Sequence, residues 1–206
     1  EGTPTLTDID GNVYNTVQIG NQCWMKENLR TTRYADSTEI SSGIYAPGLY
    51  PSNVSIYGYL YDWTTIMHGA SSSSTNPSGV QGICPTGWHV PSEAEWTQLT
   101  DYVNSQSDYV CGGISGHIAK SLAHEMSCWI NYYNSTDPCC IGTVQLGNNA
   151  TGFSALPAGF RYQGSVNDFG YRAAFFSSTI IGQNSEGDIA RFITLISGDS
   201  GIGFNG

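Results

Sequence analysis

One segment of the chain carries both the start signal and the buried face of a helix, and its isolation limits what the rest can build. In CPTGWHVPSEAEWTQL (Cys84 to Leu99), Ser92 follows Pro91 and precedes Glu95 by three residues, the pattern of a capping box. Trp96, Leu99 and Val103 then recur on one helical face, so a helix is expected over about 92–105. Two weaker patterns accompany it. Tyr59, Trp63, Ile66 and Met67 fall at i, i+4, i+7 and i+8, which predicts a short amphipathic helix over 57–68, and Ile118 and Leu122 mark a third over 115–125. Elsewhere Gly, Ser, Thr and Asn supply 81 of the 206 residues, and Lys26 and Lys120 are the only lysines. So few strong helix formers argue against a helical bundle. The expectation is an α+β, loop-rich chain with short helices packed on small twisted antiparallel sheets.

The strands are marked by turns. TLTDIDGNVYNTVQIG, about residues 5–20, reads as a hairpin in which Asp10-Gly11-Asn12 tolerates the positive φ of a tight turn. Asp8-x-Asp10-Gly11-Asn12 also imitates the start of a calcium loop. Position 12 of that loop would be Ile19 rather than a bidentate Glu, so the turn reading is preferred. Ser71 to Ser78 is a serine run with Asn-Pro, a surface loop. After Cys140 a β-rich part, about 150–206, holds candidate strands at Phe153–Leu156, Gly159–Tyr162, Phe175–Thr179 and Ala190–Ile196. No repeat or domain boundary interrupts the chain, so residues 1–206 are expected to form a single domain.

Seven Lys plus Arg against seventeen Asp plus Glu give a formal charge of −10. Such a chain has no basic footprint for nucleic acid, and no apolar run long enough to insert in a membrane as a helix. The six cysteines, Cys23, Cys84, Cys111, Cys128, Cys139 and Cys140, are an even count in a Lys-poor, small-polar chain, the pattern of a secreted, oxidised protein. All six are expected in disulfides of open connectivity. Cys111 with Cys128 is the candidate local loop, and the adjacent Cys139 and Cys140 should bond elsewhere than to each other. With Glu1 first and no leader in view, the chain reads as a mature form. Asn53, Asn134 and Asn149 head N-x-S/T sequons, and Asp36-Ser37-Thr38 fits a short bacterial O-glycosylation pattern, so Asn53, Asn134, Asn149, Ser37 and Thr38 are candidate glycan acceptors.

The search for catalytic groups yields little. The four histidines are His68, His89, His117 and His124, and His89, between Trp88 and Val90, reads as a packing and hydrogen-bonding residue. His117 and His124 lie seven apart near Glu125, about 10 Å along a helix and too far to hold one metal ion together. No C-x-x-C pair, G-x-S-x-G elbow or phosphate-cradling Gly-Lys loop occurs. Glu93 and Glu95 point to different faces of their helix, which makes them a poor acid/base pair. No enzyme activity, metal or cofactor is expected.

Four strings in order resemble one family: DIDGNVYNTVQIGNQCWMKENLR (Asp8 to Arg30), YGYLYDW (Tyr57 to Trp63), GICPTGWHVPSEAEW (Gly82 to Trp96) and GFSALPAGFRYQGSVNDFGYRAAFFSST (Gly152 to Thr179). They resemble the Fibrobacter succinogenes major paralogous domain, a family of largely secreted or surface-attached bacterial proteins. The resemblance implies a C-type-lectin-like fold, distantly similar to formylglycine-generating enzymes. That enzyme activity does not carry over, since the reactive cysteines near the C-terminus are missing and the last cysteine here is Cys140. The Glu-Pro-Asn or Gln-Pro-Asp and Trp-Asn-Asp motifs of calcium-dependent sugar binding are missing too; the nearest strings are Asn76-Pro77 and Val166-Asn167-Asp168. The resemblance also implies a final strand whose cysteine pairs with Cys84. The sequence stops at Gly206 before any such strand, so either the chain continues or Cys84 pairs with an extra cysteine. An open sheet edge would then need a neighbour's strand. Cys23 replaces a hydrophobic residue of the family and suggests an additional disulfide.

The function expected is that of a non-enzymatic, secreted or cell-surface structural or adhesive protein, the subunit of an extracellular filament, whose partners are further copies or other surface proteins. The alternative is a lectin-like module that binds glycans or a partner protein through residues 165–205, with Tyr171, Arg172, Phe175, Phe176, Arg191 and Asp199 as candidate contacts.

Overall fold

The structure is a computed structural model of the chain, which describes residues 5–125, 128–131, 134–143, 147–185 and 187–206. Strands β1 (Thr5–Thr7), β2 (Val13–Ile19) and β3 (Gln22–Met25) form an antiparallel sheet in the order β1-β2-β3. Its first turn is the Asp-Gly-Asn turn that the sequence predicts. Asp8 accepts from the backbone N–H groups of Asp10 and Asn12 at 3.0 and 2.8 Å, and from the Tyr14 hydroxyl at 2.6 Å. Asp10 accepts from Thr32 N at 2.6 Å and pairs with Arg33, which ties the hairpin to the following loop. Both carboxylates are therefore spent on protein donors, the arrangement of a turn rather than of a calcium loop.

A small antiparallel pair, β4 (Ile44–Tyr45) and β5 (Leu60–Tyr61), follows. It corrects the helix expected over 57–68. The chain instead makes one turn, α1 (Val54–Tyr57), passes Gly58 at φ 70°, enters β5, and makes a second turn, α2 (Trp63–Met67). Tyr59 N bonds Leu29 O at 2.9 Å, so a tertiary partner takes the group a continuous helix would have used.

The principal helix, α3 (Glu93–Ser105), has the expected cap. Ser92 accepts from Glu95 N, and Glu95 accepts from Ser92 N. Trp96, Leu99, Thr100 and Val103 are its buried stripe, which packs on β2, β8 and β9. The helix expected over 115–125 is only the turn α4 (Ala119–Leu122).

The C-terminal part holds a hairpin, β6 (Phe160–Tyr162) with β7 (Ser165–Asn167), and a sheet of β8 (Arg172–Asn184), β9 (Gly187–Ile196) and β10 (Ile202–Asn205) in the order β10-β9-β8. Ile193 and Leu195 are buried in the main core, as the alternation in β9 predicts. Phe153–Leu156 is not a strand. It is a buried irregular segment whose backbone bonds the α4 turn, with Ala155 N on Leu122 O and His124 N on Ala155 O. Main-core residues come from β2, α3, α4, β8 and β9, together with Trp129, Ile141 and Phe153; a smaller cluster gathers Met67, Val80, Cys84 and Val90. The coarse class is α+β, with few short helices and small antiparallel sheets.

The cysteine expectations need correction. Cys111 bonds Cys139, not Cys128, and closes a 28-residue separation. Cys23, Cys84 and Cys140 are free thiols. Cys23 is exposed on β3, Cys84 is enclosed by the smaller apolar cluster, and the Cys140 thiol donates to Gly198 O at 2.8 Å. Burial pushes the Cys84 thiol up to about 12, which keeps it protonated and inert.

Candidate functional site: an aromatic groove

A groove of about 1130 Å³ opens where β3, β5, α3, β6 and β8 converge. Its floor is aromatic. Trp24 and Trp96 lie 4.7 Å apart between ring centroids, and Phe153 and Phe175 lie 5.8 and 5.6 Å from Trp96. The indole N–H groups of Trp24 and Trp96 are buried without an acceptor among the described residues. Trp63 extends the wall and is fixed by its indole N–H, which donates to Ser177 O at 2.8 Å.

The charged residues of the groove are largely committed to one another. Glu95 Oε1 lies 2.6 Å from His89 Nε2, while its Oε2 accepts from Ser92 N and Ser78 N at 2.9 and 3.0 Å. Burial pushes the Glu95 carboxyl up, but the bonds from His89 and the two backbone amides outweigh it and hold the group below its ordinary value. The bond to Glu95 raises His89. This pair caps α3 and fastens the Ser78 loop, which makes it a scaffold element. Asp62 pairs with Arg161 at 3.5 Å and accepts from the Tyr45 hydroxyl at 2.9 Å; the Arg161 guanidinium lies 3.9 Å over the Tyr45 ring. No three His, Cys, Asp or Glu side chains gather in a metal-holding cluster among the described residues.

Of the contacts expected in the C-terminal region, Phe175 and Phe176 line the groove, and Tyr171, Arg172, Arg191 and Asp199 do not. Arg172 pairs with Asp168 at 3.1 Å and covers the Phe160 ring at 4.6 Å. Arg191 pairs with Glu93 at 3.0 Å. Tyr171 accepts from Ser197 N through its carbonyl, and Asp199 sits exposed in the turn before β10. Two of the candidate contacts thus belong to the groove wall and two to ion pairs, and Tyr171 and Asp199 fall in neither group. Sequence reasoning missed Trp24, Trp63, Trp88 and Arg161, which the fold brings together from distant segments; aromatic density in the family-like strings was the only signal available.

The glycan acceptors also divide. Asn53 donates to Pro47 O at 2.9 Å and Asn149 donates to Ser154 Oγ at 2.9 Å, so both amides serve local turns. Asn134, Ser37 and Thr38 are exposed.

The sequence profile of the Fibrobacter succinogenes major domain matches residues 17–195. No curated protein and no solved structure matches the chain. The matched span includes nearly all of the groove wall.

Proposed function

The chain belongs to the Fibrobacter succinogenes major domain family, and on that premise we propose that it is a non-enzymatic secreted or cell-surface protein of structural or adhesive role, with a C-type-lectin-like scaffold and the capacity to assemble with further copies or other surface proteins. The observation that supports this reading is the groove: a large, open, aromatic concavity whose charged side chains are mostly neutralised in pairs. Such a surface suits contact. Among the described residues its charged side chains are engaged with one another, which suits binding more than bond-breaking. The Cys111–Cys139 disulfide and a surface rich in neutral polar residues suit an extracellular setting.

Electron microscopy and light scattering of the purified protein over a concentration series test the proposal. Filaments, clusters or a mass that grows with concentration are expected. A strict monomer that also fails to adhere to cells of its source would refute it. The alternative, a glycan-recognition module, draws on Tyr162 and the Arg161–Asp62 pair beside the aromatic wall, and a glycan array would reveal it.

A further inference from the structure

The most exposed large apolar side chains among the described residues are Leu49 and Tyr50, at 69% and 67%, and Ile56 on the same short segment is 50% exposed. Two Pro-led turns, Pro47–Leu49 and Pro51–Asn53, run into α1, each touching the next. The segment is anchored from behind. Pro47 is buried, and its carbonyl accepts from the Asn53 side-chain amide at 2.9 Å. Gly48 closes on the Phe169 ring, where a Cβ would stand 3.2 Å from two ring carbons, and Tyr57 meets the same ring edge to face at 4.9 Å. A turn fixed in this way has little freedom left to lose when it docks. Leu49 itself adopts φ 66°, a left-handed conformation that is uncommon for a bulky side chain. The strain brings it no burial; it turns the side chain out to solvent.

The same segment is free of charge. From Ile40 to Tyr61 the sequence has no Asp, Glu, Lys, Arg or His. In a chain of formal charge −10, such a segment can approach a second copy without setting carboxylate against carboxylate. The groove is its chemical complement. Its floor is aromatic, Asp62 and Glu95 pair with Arg161 and His89, and Glu27 accepts from the Asn15 backbone and side-chain amides at 2.7 Å. Its volume of about 1130 Å³ exceeds the ~300–1,000 Å³ typical of a small-molecule pocket, which leaves room for several side chains. No residue of 46–57 lines it. The apolar turn and the groove are therefore separate surfaces of one molecule, and neither covers the other within a copy.

We infer that the groove receives the Leu49–Tyr50 turn of a second copy of this chain, with both side chains against the aromatic wall. Aromatic anchors seated in a pocket carry much of the energy of a protein–protein contact, and an uncharged turn leaves no ion stranded there. Because turn and groove are different surfaces, the contact is head-to-tail. Each copy offers its turn to one neighbour and its groove to another, which extends an open chain or closes a ring. This deepens the reading of the protein as one that assembles with further copies, and rests on it.

The test uses the whole protein in sedimentation velocity over a concentration series, with two variants. The turn variant combines Leu49→Asn, which keeps a residue that tolerates positive φ, with Tyr50→Ser. The groove variant is Tyr162→Asp, at an exposed position of the groove wall. All three sites are exposed, so both variants should keep the parent's circular dichroism and melting temperature. Each variant alone should associate about tenfold or more weakly than the parent. An equimolar mixture should regain a two-subunit species, because each variant retains the surface that the other has lost. Parent-like association of the turn variant, or a mixture as monomeric as its components, would overturn the inference. Either result in an assembling parent removes this contact and leaves the assembly reading standing. A parent that stays monomeric at ~1 mM removes the contact too, and removes the wider reading only if the protein also fails to adhere to cells of its source.

Discussion

His89 and Glu95 shift their proton affinities in opposite directions, and the sign of each shift fixes when their contact stabilises the fold. The bond to Glu95 raises His89 above 6.5, so its contribution is complete below 6.5 and is lost as pH rises through the elevated folded value. Glu95, held below 4.5 by the bonds that outweigh its burial, contributes fully above 4.5 and loses that contribution as pH falls through its depressed value. Both are complete between 4.5 and 6.5. His89→Gln should therefore lower the denaturant midpoint most in that window, and the gap from the parent should narrow in mildly alkaline buffer; a gap independent of pH would contradict the assignment. Leu99 has 0% exposure at the centre of the α3 stripe, and Leu99→Ala should cost about 2–5 kcal/mol in chemical denaturation. This residue was readable beforehand because its spacing from Trp96 and Val103 is a local signal. The partners of Glu95 were half readable: the capping box predicts the bond from Ser92, whereas the bond from Ser78 crosses a loop and leaves no periodic trace.

Elements with local signatures were legible, and those completed by distant partners were not. The first hairpin announces itself through Asp10-Gly11-Asn12, and α3 through Ser92 and Glu95. Residues 57–68 mislead because Tyr59, Trp63, Ile66 and Met67 have helical spacing, yet Ile44–Tyr45 pairs with Leu60–Tyr61 and breaks the helix. Phe153–Leu156 misleads in the other direction: an apolar run without alternation can be a strand or simply buried coil, and here α4 supplies its bonds. Strand β10 went unread because Gly201 and Gly203 dilute its pattern. The disulfide is an element-scale staple, since it joins the segment after α3 to the loop beyond α4. In the chain-entropy account, closing a loop of this length contributes about 3–4 kcal/mol. Cys111→Ser should lower the unfolding free energy by about that amount. Peptide mapping without reduction should recover the Cys111–Cys139 pair, and should find Cys23 alkylated rapidly and Cys84 only after unfolding.

At the scale of the molecule, a charge of −10 opposes close approach of identical chains at neutral pH. If the protein assembles as proposed, acidification toward its isoelectric point near 4.5, or added salt, should increase the associated mass in light scattering. Dissociation under either condition would show that charge attraction, rather than apolar contact, holds the assembly. The groove itself was not legible in the sequence. Its walls draw on residues within 21–29, 59–66, 83–98, 153–162 and 174–176, with shorter contributions such as Asn184, Ile189 and Phe192, and no local pattern says that they meet.

The same convergence places four of the five tryptophans, Trp24, Trp63, Trp88 and Trp96, around one concavity and leaves Trp129 shut in the core. The molecule thus contains a native optical reporter. Whatever displaces water from that concavity should move indole emission to shorter wavelength and shield it from iodide, while the Trp129 contribution stays constant. An occupant can be detected, and its affinity titrated, with no label attached.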